Sequence, residues 1–204
     1  MPLQSTRAVA CMTLCALLWG NPGPWQSEAL GQTARPRPQD GPAARAAGRP
    51  AAVDDRRWQE LADQAETALA RGDFAGSERT ARELVAEGLR IFGEAHPNTA
   101  AGYSTLASAL FRQGRYAEAE SQFRRALEIY ERRSGPDSVN VASALNNLAL
   151  VLERIGDYAG AEVLLRRSHG ILGKSLGTNH PDTATTLSNL GRVLDSQGKL
   201  GADD

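Results

Sequence analysis

The chain has 204 residues, a net charge of −1 and only 5% aromatic residues. Its length suits one ordinary domain or a short stack of repeats. A balance this close to neutral gives no overall field for nucleic acid. Both cysteines, Cys11 and Cys15, lie in the first 15 residues, so the remainder has neither a disulfide nor a thiolate metal ligand of its own.

Residues 1–31 read as an export signal. Arg7 supplies the positive start, Ala8 to Trp19 is an apolar run too short to span a bilayer, and Pro22, Gly23 and Pro24 break any helix. Ala29, Leu30 and Gly31 place small residues before an expected cut after Gly31. This predicts a periplasmic or extracellular protein whose mature chain has no transmembrane helix. The alternatives are a lipid-anchored or a cytoplasmic chain. The triplet before Cys15 matches a lipoprotein signal poorly, and a signal ending at Cys11 would leave almost no apolar run before it. Residues 32–53 read as a disordered linker rich in Pro, Ala and Arg. Arg35, Arg37, Arg45 and Arg49 stand against Asp40, and too little apolar surface is present to offset the ordering entropy.

From Asp54 to Asp204 the pattern is helical and repeats every 42 residues. Gly93 begins Gly-Glu-Ala-His-Pro-Asn-Thr-Ala, and Gly177 begins Gly-Thr-Asn-His-Pro-Asp-Thr-Ala. Midway between them, Gly135 begins Gly-Pro-Asp-Ser-Val-Asn-Val-Ala. Leu106, Leu148 and Leu190 share one register, as do Ala107, Ala149 and Gly191, and Leu110, Leu152 and Leu194. Gly72, Gly114, Gly156 and Gly198 form another column, and Phe74, Tyr116 and Tyr158 a further one. A period of this length means a stacked array of helix pairs. The units run over about 58–99, 100–141 and 142–183, with a partial unit at 184–204.

In the first unit, Leu61, Ala65, Ala68 and Leu69 make one apolar face, and Phe74, Leu84, Val85, Leu89 and Ile91 the next. This unit departs most from the others, as expected where an array ends. In the second, Pro97 opens a helix with Tyr103, Leu106, Ala107 and Leu110 inward, and Tyr116, Ala119, Phe123, Ala126 and Leu127 line the return helix. The third repeats this from Leu145 to Leu152 and from Tyr158 to Ser168. The fourth supplies Leu187, Leu190, Gly191 and Leu194 alone. That makes about seven helices. The small residues at Ala107, Ala149 and Gly191, and at Ala119 and Ala161 from the other side, are expected to let partner helices approach closely. Arg192, Asp195 and Gln197 are expected to point outward from the last helix as a solvating cap.

Leu-Ala-x-x-Leu-x-x-x-Gly-x-Tyr-x-x-Ala, read from Leu106 to Ala119 and again from Leu148 to Ala161, resembles the tetratricopeptide repeat. The 42-residue length, the His-Pro-x-Thr-Ala segments at His96 and His180, and Asn146-Asn147-Leu148 are similar to the kinesin light chain type. Ser138-Val139 takes the place of His-Pro in the third unit. The resemblance implies an all-α solenoid of antiparallel helix pairs in a right-handed superhelix. It also implies that the first helices of successive pairs line a concave face that binds a peptide segment of another protein.

The stripe beside the core on those helices names the candidate contacts: Ser104, Ser108, Phe111 and Arg112, then Asn146, Leu150 and Arg154, then Ser188 and Arg192. Asn146 would hold a peptide amide and the arginines would take carboxylates. Asn147 and Asn189 read as bonds between helices and stand outside the site. His96 and His180 read as helix-start residues and His169 as a packing residue. No phosphate loop, nucleophile elbow or zinc motif occurs in the sequence. The reading is therefore a binding module that is not an enzyme and needs no cofactor or metal. The alternative is a structural scaffold in the cell envelope that self-associates through its C-terminal end.

Overall fold

The computed structural model describes residues 55–198. The expected signal at 1–31, the linker at 32–53 and the last six residues lie outside the described residues. Seven α-helices and no strand are found among them: α1 (Arg56–Ala70), α2 (Phe74–Phe92), α3 (Pro97–Arg112), α4 (Tyr116–Ser134), α5 (Val139–Arg154), α6 (Tyr158–Ser175) and α7 (Pro181–Ser196). Each packs on the next in chain order. The first helices also touch one another, α1 against α3 and α5 against α7. The result is a two-layer α-solenoid, with α1, α3, α5 and α7 in one layer and α2, α4 and α6 in the other.

The repeat in sequence is a repeat of joints. A glycine with positive φ follows every helix, at Gly72, Gly93, Gly114, Gly135, Gly156, Gly177 and Gly198. These φ values run from 68° to 92°, where a side chain would be strained. The next helix then starts on a cap. The Asp73 and Asp157 carboxylates accept the Gly76 and Gly160 N–H groups at 2.8 and 2.9 Å. Arg115, at the same register position, caps nothing and instead donates to Glu118 and to Glu78 of the preceding unit.

The core is the seam between the layers. Phe123, Leu84, Leu145, Leu165, Val141, Val151 and Val193 are its largest fully buried apolar side chains. Ala107, Ala149, Ala119 and Ala161 are wholly buried, as close helix approach requires. Two buried serines strengthen the seam: Ser77 donates to the Ala65 carbonyl at 2.9 Å and Ser168 to that of Ala142 at 2.8 Å. The first unit is well packed despite its divergent sequence, because Trp58, Leu61, Ala65 and Leu69 are all buried and Trp58 meets Phe92 edge-on at 5.8 Å.

Two expectations about α7 are corrected. Arg192 and Gln197 do not point outward. Arg192 turns back onto Glu153 of α5, and Gln197 donates to the Tyr158 carbonyl at 2.8 Å, so both hold α7 to the third unit. Among the candidate cap residues only Asp195 is exposed. The small-residue column also changes meaning here. A Cβ placed on Gly191 would meet nothing, because no return helix lies against this face among the described residues. Leu187 is accordingly 53% exposed, whereas Leu61, Tyr103 and Leu145 at the same register position are buried.

Candidate partner-binding face

The stripe proposed from the sequence divides into a buried part and an exposed end. Ser104, Ser108, Asn146 and Leu150 do not face solvent as expected: the two serines are fully buried, and Asn146 and Leu150 are 3% exposed. The physical reason is local bonding and the closeness of successive first helices. The Ser108 hydroxyl bends back to the Ser104 carbonyl at 2.9 Å. Asn146 Oδ1 accepts from Asn189 Nδ2 at 2.9 Å, across the junction of α5 and α7. Asn189 Oδ1 in turn accepts from Arg192 Nη1 at 3.3 Å. Arg192 donates twice more, through Nε and Nη2, to the two Glu153 oxygens at 2.6 Å each. Asn146 and Arg192 are therefore joined through Asn189, and Arg192 goes on to Glu153, as parts of one strut between units. The Asn189 bridge between helices is as its sequence column suggested. Ser188 is exposed and its hydroxyl is turned to the Ala184 carbonyl.

The exposed end of the stripe lies where α3 and α5 finish. Phe111 packs against Tyr116, ring centroids 5.5 Å apart. The Arg154 guanidinium sits 6.0 Å above the Phe111 ring, and that of Arg112 sits 4.9 Å above Phe74. Arg154 is exposed and makes no ion pair among the described residues, unlike Arg192. Beside it Ile155 is 47% exposed. Sequence reasoning missed Ile155, although the column shows the signal. Gln113 and Gln197 occupy its register position and bond the carbonyls of Phe74 and Tyr158. Isoleucine has no amide to make that bond, so the third unit leaves an apolar side chain at the rim instead.

The model of the tetratricopeptide repeat family matches residues 59–132, 99–172 and 140–202. The chain belongs to the tetratricopeptide repeat family. No curated protein matches it in sequence. Among solved structures it is similar to BtubC (BKLC) from P. vanneervenii, with a TM-score of 0.61 and 25% identity over 66% of this chain and 54% of that one. This chain thus spans about half the length of BtubC. A kinesin light chain-type protein of Podosopora anserina with nearly identical TPR-like repeats gives a TM-score of 0.64 at 21% identity, covering 72% of this chain and 68% of that one. The apo form of RapI gives 0.63 at 19% identity, covering 72% and 52%. The latter two likenesses concern the fold.

In fold the array is similar to that kinesin light chain-type structure, and stacked repeats of this family build extended concave surfaces that suit the binding of other proteins. Its third histidine, His169, is half-buried in α6. Among the described residues no cluster of three His, Cys, Asp or Glu side chains is arranged to hold a metal ion. No helix among them is long and apolar enough to cross a membrane.

The N-terminal end of the inner layer carries a different charge. Glu66 stands at the register position of Ser108, Leu150 and Arg192. Burial first, then the neighbouring Asp63 carboxylate, pushes its carboxyl up to about 7. Glu78 at the junction of the first two units behaves oppositely. Burial pulls its carboxyl upward most strongly, but hydrogen bonds from Gln113 and Arg115 and the charges of Arg82 and Arg115 together hold it below the usual carboxylate range. One of these acids is a fixed structural anion; the other is poised to lose its charge.

Proposed function

We propose that this array is a non-enzymatic interaction module that holds a peptide segment of a partner protein on its inner face, at the exposed end formed by Phe111, Arg112, Arg154 and Ile155. The observation that carries this reading is Arg154: an exposed guanidinium over an aromatic ring, with no carboxylate paired to it among the described residues. A peptide carboxylate would complete that charge bidentately, and an adjacent apolar side chain would cover Ile155 and Phe111. The buried Asn146–Asn189–Arg192–Glu153 strut keeps the platform rigid. The sequence of residues 1–31 supports an exported setting for this binding. A positional peptide array probed with the purified domain tests the reading. Peptides pairing Asp or Glu with a neighbouring apolar residue are expected to bind, and Arg154→Glu is expected to abolish their retention without unfolding the domain. Binding by basic peptides instead, or acidic-peptide binding unchanged by Arg154→Glu, would refute it.

A second reading rests on Leu187. Its register partners are covered by return helices, whereas Leu187 is 53% exposed, so the α7 face offers a seat for self-association. Sedimentation at rising concentration tests this: a dimer that Leu187→Glu dissociates supports it, and a strict monomer removes it.

A further inference from the structure

Three first helices in the array start on a side-chain cap whose own backbone is extended, and two of those caps are imidazoles. His96 Nδ1 accepts the Asn98 N–H at 3.1 Å, and His180 Nδ1 accepts the Asp182 N–H at 3.2 Å. Between them, in register, the Ser138 hydroxyl accepts the Val141 N–H at 3.3 Å. A hydroxyl accepts this bond at any ordinary pH. An imidazole accepts it only while Nδ1 carries no proton, which requires the neutral Nε2–H form.

We propose that His96 is a pH-sensitive cap that loosens the start of α3 in acid, while the Ser138 cap holds α5 closed. Protonation acts twice in the same direction. It replaces the acceptor with an N–H donor aimed at the Asn98 amide, and it places a positive charge at the positive end of the helix dipole.

The surroundings make the two caps unequal. His96 stacks on Phe92 of α2 at 4.7 Å, and α1 reaches it through Trp58, which packs on Phe92. Burial first, and then the Arg133 guanidinium of α4, hold its imidazole below the ordinary histidine range. The folded state thus favours the neutral ring. The stability tied to the cap is present above the unfolded value and is lost as the pH falls through the folded one. His180 has a carboxylate beside it, Asp182 Oδ2 at 3.7 Å. In α6 the register position of Arg133 is taken by Ser175, which is uncharged. The response belongs to α3. Its opening also bears on the junction of the first two units, because Thr99 in that first turn is fully buried and donates to the Gly93 carbonyl at 2.8 Å.

Amide hydrogen exchange of the whole chain at pH 7.5 and pH 5.0, expressed as protection relative to intrinsic rates, tests this. Protection in the first turn of α3 (98–100) is expected to fall about tenfold at the lower pH, and not at Val141 in α5. His96→Ser, which copies the cap already present at Ser138, is expected to remove the fall in α3. Imidazole nitrogen shifts at pH 7.5 are expected to show His96 as the neutral Nε2–H form. An equal loss of protection in the first turns of α3 and α5, an unchanged acid response in His96→Ser, or an Nδ1–H form at pH 7.5 would each overturn the proposal.

Discussion

Arg192 of α7 grips Glu153 of α5 with two parallel hydrogen bonds of 2.6 Å, 39 residues apart in the chain. Both side chains are largely covered, at 29% and 14% exposed. The pair joins neighbouring first helices and couples α7 to the third unit. Arg192→Ala leaves Glu153 charged and half-buried. We expect a loss of about 1–2 kcal/mol in urea denaturation, with most of it shared between Arg192→Ala and Glu153→Gln in a double-mutant cycle. Additive losses would show that the pair does not act as a unit.

Asn146 is the next link in the same strut. Its side chain is buried and bonded to Asn189, so Asn146→Ala should cost about 1–2 kcal/mol of stability. An exposed polar residue would cost far less. Ala149→Leu should cost about 1–3 kcal/mol by a different route, overpacking the contact with α6. Thermal or urea unfolding of the two variants checks both. A neutral Asn146→Ala would place Asn146 outside the structural network and return it to the ligand.

Glu66 gives the array an alkaline sensitivity. Its folded carboxyl, at about 7, stands above the ordinary 4.5. The favoured protonated form is therefore fully present below pH 4.5, and its contribution is lost as the pH rises through about 7. Glu66→Gln should remove that loss, so the variant should exceed wild type by about 1 kcal/mol at pH 8, after allowing for solvent screening, and match it near pH 4.5. Denaturation curves at the two pH values decide it. An equal gain at both would mean that the glutamine acts through packing.

Removing residues 181–204 should expose the apolar seat of α7. Leu190 and Val193 are buried there against Ala149, Leu152, Ala161 and Leu165. Burial of two such side chains is worth about 3 kcal/mol or more. The truncated chain should unfold its third unit earlier and associate in sedimentation. Within the intact chain, amides of α7 should exchange faster than those of α5, because among the described residues α7 has neighbours on one side only. Equal protection in both helices and an unaltered, monomeric truncation would show that α7 does not cover the unit.

The fold was legible because its signals are local and repeated. Gly72, Leu106, Ala107 and Tyr116 each recur at 42 residues, and each maps to a joint or a packing contact. The histidine and serine caps were half legible. The residues before Pro97 and Pro181 are plainly helix starts, but only geometry shows Nδ1 bonded to an amide. The inner face was harder. Periodicity places Ser104, Asn146 and Arg192 on one stripe, yet it does not fix how closely one helix lies to the next. That distance decides whether Asn146 meets a ligand or Asn189. Ile155 shows the converse case: one break in a column, at first sight trivial, marks where a carbonyl loses its amide partner and an apolar side chain reaches the rim.

The positive-φ glycines fall 21 residues apart throughout, from Gly72 to Gly198. The helix pair is thus built from two modules of equal length, each ending on the same hinge chemistry. A segment cut at one such glycine and rejoined at the equivalent glycine two joints away restores an identical splice, so whole blocks can be gained or lost without reshaping the junctions. A single residue inserted between joints has no such freedom. It turns every later side chain on that helix by about 100°, swinging core positions to the surface. The array can therefore lengthen or shorten by genetic duplication in 42-residue steps, while smaller changes in length are confined to the short stretches beside the hinges, such as Glu94 and Ala95.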